Sequence, residues 1–350
     1  MNKNIKIKNF EINETSKTFI IGEISANHNG SFDNAVKLIH TAKDAGADAV
    51  KLQTYTADTI TIDCYNKYFQ IKQGTLWDGK TLHDLYEEAY MPWKWQPELK
   101  KIAEENGLAC FSSPFDKTAV DFLEDMDVPA YKVASFEITD IPLITYMASK
   151  GKPMIIAAGI AEISDIQLAI DACKKVGNDQ IILLKCTSAY PAPFEEVNLK
   201  TIPNMRETFD VIAGLSDHTL GIEVPISAVT LGAKVIEKHI TLSRADGGPD
   251  AAFSLEPHEL KSMVQSIRNT EKAIGKVSYE LTEKQMKNRA FSRSLFAVKD
   301  IKAGETFTEE NVRSIRPGFG LPPKYIDNIL GRTAGENLLK GTPLHWKYVK

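Results

Sequence analysis

The sequence predicts an α/β barrel of eight strand–helix units followed by a small separate domain. Three observations carry this fold class. Apolar runs of strand length alternate with stretches of helical period eight times between residues 19 and 274. That is the pattern of a parallel sheet with helices outside it, and eight units suggest closure into a (β/α)8 barrel. Polar and charged residues gather at the carboxyl ends of the runs, whereas the opposite ends offer mostly Gly, Ala and Asp in turns. Past about residue 275 the alternation gives way to short apolar runs separated by Gly and Pro turns, which mark a different kind of domain.

The first run is FIIGEI (19–24), followed by an amphipathic stretch at 33–45. DAVKLQT (48–54) comes next, but its helix, 94–106, begins only after residues 55–92. This connection far exceeds the usual loop and contains QGTLWDGK (73–80) and TLHDLYEEAY (81–90). On the catalytic face of a barrel, a long insertion is expected to shape the substrate pocket. LACFS (108–112) precedes 117–126, AYKVAS (130–135) precedes 140–150, PMIIAA (153–158) precedes 162–176, and QIILLKC (180–186) precedes 197–208. DVIAGL (210–215) with helix 221–232, and KVIEKHI (234–240) with helix 256–274, complete the eight. AGADAVKLQ (45–53) and LGAKVIEKH (231–239) echo each other. In each, a Gly ends a helix and a strand follows with a charged residue near its carboxyl end, the recurring unit of the fold rather than a sequence repeat. The polar stretch KVSYELTEKQMKNRA (276–290) reads as a linker. The expected division is a barrel domain over 1–280 and a linker with a small domain over 281–350. With about 60 residues the small domain has little core of its own, so it is expected to pack on a barrel, its own or a partner's.

Composition narrows the class of function. The chain of 350 residues is 43% hydrophobic and 25% charged, ordinary for a globular protein. A formal charge of −4 argues against general affinity for nucleic acid and leaves room for a local cationic pocket. The opening MNKNIKIKNFEINE lacks the apolar region of a signal peptide, and no run of about 18 apolar residues suggests a membrane span. Cys64, Cys110, Cys173 and Cys186 are widely spaced with no CxxC pair, and read as reduced residues of a cytoplasmic protein. No P-loop, GxGxxG fingerprint or GxSxG elbow is present.

In a closed barrel the active site lies at the carboxyl ends of the strands. All but the fifth end carry polar groups: Glu23 with Asn27 and His28, Lys51 with Gln53, Ser112-Ser113, Lys132 with Ser135, Lys185 to Ser188, Ser216 to His218, and Glu237 with His239. Inward lysines are costly unless they meet an anion. Lys51 and Lys132 can pair internally with Glu23 or Glu137. Together with hydroxyls from Ser112, Ser135, Ser188 and Ser216 they suit a bound phosphate and carboxylate. His218 and His239 end successive strands, so their imidazoles can converge on a divalent metal with coordination positions left open. His40, His83, His258 and His345, in helical or tail context, are read as structural, and His28 fits loop geometry as well as catalysis.

At these residues the chain resembles the sialic acid synthase family, which condenses phosphoenolpyruvate with an N-acetylated amino sugar. The matching pieces are EISANHNG (23–30), AGADAVKLQ (45–53), CFSSPFD (110–116), YKVASFE (131–137), KCTSAYPAP (185–193), GLSDHT (214–219) and GAKVIEKHIT (232–241), with SRSLFAVKDIKAGE (292–305) and RPGFGLPP (316–323) in the last domain. The resemblance implies a TIM barrel followed by an antifreeze-like (SAF) domain, in a domain-swapped homodimer whose small domain lids the partner's site. It implies His218 and His239 as ligands of Mn2+ or Mg2+. Lys51, Ser112, Lys132, Ser135, Ser188 and Ser216 would hold phosphoenolpyruvate. Glu23, Gln53, Tyr190 and Asp250 resemble sugar-side residues, with Arg316 reaching in from the partner. Glu137 resembles a carboxylate near the reacting carbons, and Glu23 or Glu137 is the expected proton relay.

Two departures from the family pattern stand out. Ala157-Ala158-Gly159 replaces a Ser-Thr-Gly, removing one hydroxyl from the phosphate site, and Ser188 stands where sialic acid synthases tend to have Asn. Ser188 and the segments 74–78 and 85–87 look like the branch that makes pseudaminic acid from a trideoxy diacetamido sugar. Leu76 and Trp77 would suit a 6-deoxy carbon. The alternatives are N-acetylneuraminate or legionaminic acid synthesis, a metal-dependent aldolase, and a non-catalytic sugar-binding barrel.

Overall fold

The computed structural model describes residues 3–72 and 74–350. Gln73, the first residue of QGTLWDGK, lies outside the described residues. Two short strands open the chain, β1 (Ile5–Ile7) and β2 (Phe10–Ile12), paired antiparallel with Ile5 opposite Ile12. Eight parallel strands follow: β3 (Phe19–Glu23), β4 (Ala49–Thr54), β5 (Ala109–Pro114), β6 (Tyr131–Val133), β7 (Met154–Ala157), β8 (Ile181–Cys186), β9 (Ile212–Asp217) and β10 (Val235–His239). Each pairs with the next and β10 returns to β3, closing the barrel that the alternation predicts.

Both faces of these strands are buried, one in the barrel and one under the helices, so they read as continuous apolar runs rather than alternating ones. Interior side chains such as Ile155, Ile182 and Ile212 share a core with strand starts at Phe19, Ala49, Ala109 and Val235. The opening hairpin, which sequence analysis does not predict, belongs to that core. Ile5, Ile7 and Ile12 have no exposed surface, and they close the amino-terminal end of the barrel. A second core lies between strands and helices and holds Leu38, Val50, Leu52, Leu215, Ile236 and Leu260.

Helix boundaries follow local chemistry. Helix Phe32–Ala45 is capped by the Ser31 hydroxyl, which accepts from Asn34 N at 3.3 Å, and stops at Gly46 with φ 86°. Gly232 takes φ 96° after helix Glu223–Thr230, so the two echoed segments turn from helix to strand in the same way. The insertion at 55–92 is folded: helices Ala57–Ile60 and Leu82–Ala89 flank a β-bridge between Gln70 and Thr81.

The chain divides into two compact units, Met1–Gly275 and Lys276–Lys350, whereas sequence analysis draws the line between 280 and 281. The second unit pairs β11 (Ser294–Ala297) with β12 (Val312–Ile315) antiparallel around Leu295, Ile301, Phe307, Val312, Leu338 and Leu344. Among the described residues no helix is long and apolar enough to cross a membrane, and all four cysteines are free.

Candidate active site

Strand register determines which side chains share the barrel mouth. Glu23 pairs with both Lys51 and His239, Glu237 with Ser216, and Ser216 with Cys186. Because partners in register point the same way, these groups converge, and Gln53, two residues after Lys51, joins them. Glu237 is the hub. Its Oε1 lies 3.8 Å from Lys51 Nζ and 3.7 Å from Lys132 Nζ, and accepts from Ser216 Oγ at 3.0 Å. Glu23 Oε2 lies 2.7 Å from Lys51 Nζ, and its Oε1 accepts from Gln53 Nε2 at 3.1 Å. Lys51 therefore has the internal partner that sequence analysis allows for, while Lys132 meets Glu237 instead of Glu137.

Burial and these contacts set the charges. Burial pushes the Glu23 carboxyl up to about 7, with Lys51 opposing and Glu237 reinforcing. Burial acts the same way on Glu237, but Lys132 and Lys51 outweigh it and hold that carboxyl below its ordinary value. Lys51 is raised, because Glu23 and Glu237 overcome its burial; Lys132 is lowered, burial prevailing there. Near neutral pH the cluster thus sets the Lys51 ammonium against one ionised carboxylate, Glu237, with Glu23 close to its midpoint and Lys132 eased toward its neutral form. Burial also lifts Glu137 to about 7, opposed by Lys132. Oε2 of Glu137 and Oε2 of Glu237 are buried with no hydrogen-bond partner.

The hydroxyls divide into two groups. Ser135 and Ser188 sit 2.6 Å apart, Oγ to Oγ. A Cβ at Gly159 would overlap both oxygens, so the glycine after the fifth strand gives this pair its room. Ser112 is not among the convergent groups. It is the register partner of Leu52, faces the helix layer, and its hydroxyl bonds Thr54 Oγ1 at 2.6 Å, which in turn donates to Gln96 at 2.7 Å. The serine beside Lys51 is Ser113, whose Oγ accepts from Lys51 Nζ at 3.3 Å.

His218 and His239 meet at the same mouth, ring centroids 5.2 Å apart. His218 Nδ1 lies 3.1 Å from the Thr187 carbonyl, which makes it the donor there; burial lowers this imidazole, but Cys186 and the Thr187 carbonyl outweigh it and hold it above its ordinary value. Nδ1 of His239 is buried without a partner. Burial, then His218 and Lys51, hold the His239 imidazole well below its usual range and hence neutral, the form that ligates metals. Among the described residues no three His, Cys, Asp or Glu side chains are placed to hold a metal ion. Two imidazoles fit a divalent cation only at an open site completed by water or substrate.

One wall is aromatic. Tyr190 packs on His218 at 4.6 Å and on Phe253 at 5.3 Å, and Phe253 lies 5.0 Å from His239. From the long insertion, Trp77 packs against Tyr190 at 5.4 Å with the rings tilted by 50°, and donates its indole N–H to the Pro249 carbonyl at 3.0 Å, whereas Leu76 is exposed. Asp250 is raised by burial and accepts from Ser25 Oγ, and Ser25 Oγ also accepts from Gln53 Nε2 at 3.2 Å. Ser25 holds this position at φ 48°, a left-handed conformation uncommon outside Gly. His28 accepts from Gly30 N at 3.0 Å and packs on Trp95, the loop role open to it from sequence. Arg316 lies in the second unit, exposed after β12.

Glu237 and Ser113 were within reach of sequence reasoning. Alternation from His239 points Glu237 inward, and alternation from the start of the CFSSP run would admit one of the two serines. Because both faces of a barrel strand are apolar, the sequence does not say which. Ser25 left no signal, since its placement depends on a strained turn.

Residues 38–279 match the NeuB family and residues 292–350 the SAF domain. The chain is 46% identical to a pseudaminic acid synthase of Campylobacter jejuni subsp. jejuni over 97% of its own length and 98% of the relative's. It is 45% identical to a pseudaminic acid synthase of Helicobacter pylori over 93% and 96% of the two chains. The solved structure of spore coat polysaccharide biosynthesis protein SpsE from Bacillus subtilis superposes with TM-score 0.68 at 34% identity, covering 99% of each chain. With its closed barrel, its polar mouth and its SAF domain, the chain belongs to the NeuB family of sialic acid synthase-type enzymes.

Proposed function

We propose that the chain condenses phosphoenolpyruvate with 2,4-diacetamido-2,4,6-trideoxy-L-altrose to give pseudaminic acid and phosphate. The observation that carries this reading is the Lys51–Glu237–Lys132 hub beside the His218–His239 pair: an anion site next to a pair of metal-type ligands at one mouth. Support for the sugar comes from the two pseudaminic acid synthases that match this chain nearly end to end. The apolar Trp77–Tyr190 wall also suits a 6-deoxy carbon better than a hydroxyl.

Lys51 and Lys132 neutralise the phosphate and carboxylate, with Ser135 and Ser188 donating to phosphate oxygens. Ser112 stays with Thr54 and Gln96, and Ser113 takes the place proposed for it from sequence. Held so, the enol carbon attacks the aldehyde carbon of the open-chain sugar. Water captures the oxocarbenium that forms, and the tetrahedral intermediate expels phosphate by C–O cleavage. Glu23 or Glu137, each with a carboxyl near 7, is poised to pass a proton to or from that water. Gln53, Tyr190 and Asp250 line the sugar side. A divalent ion, Mn2+ or Mg2+, held by His218 and His239, would polarise the aldehyde oxygen. Arg316 is assigned to the sugar of a partner's site, in a domain-swapped homodimer. Four free thiols and a phosphoenolpyruvate co-substrate support a cytoplasmic setting.

Mixing the protein with phosphoenolpyruvate, Mn2+ and the trideoxy sugar should release inorganic phosphate in step with sugar consumed. A non-catalytic sugar-binding barrel would release none. His218→Ala should lose most metal affinity and turnover; full turnover of that variant in the presence of chelator would remove the metal from the reaction.

A further inference from the structure

Lys238 is among the largest side chains with no exposed surface at all, and it points away from the barrel mouth. It precedes His239, so alternation turns it from the mouth into the layer between β10 and the helices. Its register partner on β9 is Asp217, the residue before His218. The ammonium of Lys238 pairs with Asp217 Oδ2 and donates to the Thr219 carbonyl. Asp217 in turn accepts from Thr219 N and Thr219 Oγ1, both at 3.0 Å. One ammonium thus grips the chain on both sides of His218. The His218 carbonyl is held as well, accepting from Ala192 N at 3.0 Å.

We propose that the buried Asp217–Lys238 pair is a crossbeam that fixes the two imidazoles relative to one another, Asp217 and Lys238 acting as positioning residues for His218 and His239. This rests on the reading of those histidines as metal ligands and goes beyond it. A barrel needs no buried charge for its stability, since such a pair roughly offsets its own desolvation and is often replaceable by apolar groups. What the pair supplies is direction. Each partner lies next to one of the two histidines, in strands that hydrogen-bond to each other. Two imidazoles whose backbones are tied together bind a cation without first being ordered, and preorganisation of this kind gives affinity at constant ligand identity.

The test uses full-length Asp217→Asn/Lys238→Met, which removes both charges at once and strands neither. A control removes a second barrel ion pair, Arg268 with Asp48, 2.9 Å apart near the start of β4, as Asp48→Asn/Arg268→Met. Imidazole NMR signals of His218 and His239 are recorded without metal, Mn2+ binding is measured by calorimetry, and thermal unfolding reports stability. The crossbeam variant should fold, shift or broaden both imidazole signals, and bind Mn2+ at least about tenfold more weakly, a loss typical of removing residues that orient metal ligands. The control should lose comparable stability while both readouts stay native. A folded crossbeam variant with native imidazole signals overturns the proposal, as does a control that moves them equally. If the native protein binds no Mn2+ while the signals still move in the crossbeam variant alone, the metal reading falls and the crossbeam stands.

Discussion

Glu23 and Glu237 share the cations at one barrel mouth, yet their carboxyls move in opposite directions. Glu237 lies between both lysines and is held below its ordinary value; Glu23 touches only Lys51, so burial wins and lifts it to about 7. Below about pH 7 Glu23 is neutral and leaves Lys51 to an incoming anion. As pH rises through that value Glu23 ionises and competes for the same ammonium. Equilibrium binding of phosphoenolpyruvate should therefore weaken above pH 7, by up to about tenfold per pH unit. Glu23→Gln, fixed in the neutral shape, should show no such slope attributable to the protein; an unchanged slope would assign it elsewhere. The same ionisation touches stability. With a carboxyl raised from 4.5 to about 7, the folded state keeps a proton that the unfolded chain gives up. Glu23 is thus without cost below pH 4.5 and progressively destabilising up to about 7. At this scale the sequence was legible where chemistry and period coincide, as at Lys51, Lys132, His218 and His239. It was not legible at Ser112, where adjacent serines leave the strand phase undetermined.

The barrel strands were readable as elements because each is an apolar run, all but the fifth with a polar residue at its carboxyl end, and the helices because Gly46 and Gly232 punctuate them. The opening hairpin was not. IKIKNFEI alternates over too few residues to stand out, and its three isoleucines gain their meaning only from the barrel end they close. Ile7→Ala should cost roughly 2–5 kcal/mol of unfolding free energy, the range for a large aliphatic side chain deleted from a packed core. Turnover at room temperature should be unchanged, because the hairpin closes the end opposite the site. Denaturant unfolding beside steady-state kinetics checks both, and a stability loss below about 1 kcal/mol would argue that this end is loosely packed. The long insertion was legible as an anomaly of length but not of content: nothing in its sequence announces that Trp77 crosses to Pro249 and Tyr190.

Over the whole molecule, eight repeats of one local pattern are enough to specify a closed barrel, since each unit adds a strand beside the last and the eighth meets the first. Assembly is not encoded so openly. Arg316 stands in the second unit, and its proposed role requires a partner chain. Mixing Arg316→Ala and His239→Ala proteins under conditions of subunit exchange should restore about a quarter of native activity, given random pairing and one intact composite site per mixed dimer. No gain over the separate variants would refute the swapped arrangement. On the proposed reading, this barrel mouth joins phosphoenolpyruvate to a trideoxy diacetamido sugar. The most direct test is kcat/KM from phosphate release with 2,4-diacetamido-2,4,6-trideoxy-L-altrose and with N-acetylmannosamine, measured side by side on the native protein. The trideoxy sugar should be favoured by at least about a hundredfold, the scale of discrimination set by mismatched polar and apolar groups in a pocket. Equal values, or a preference for N-acetylmannosamine, would contradict that reading.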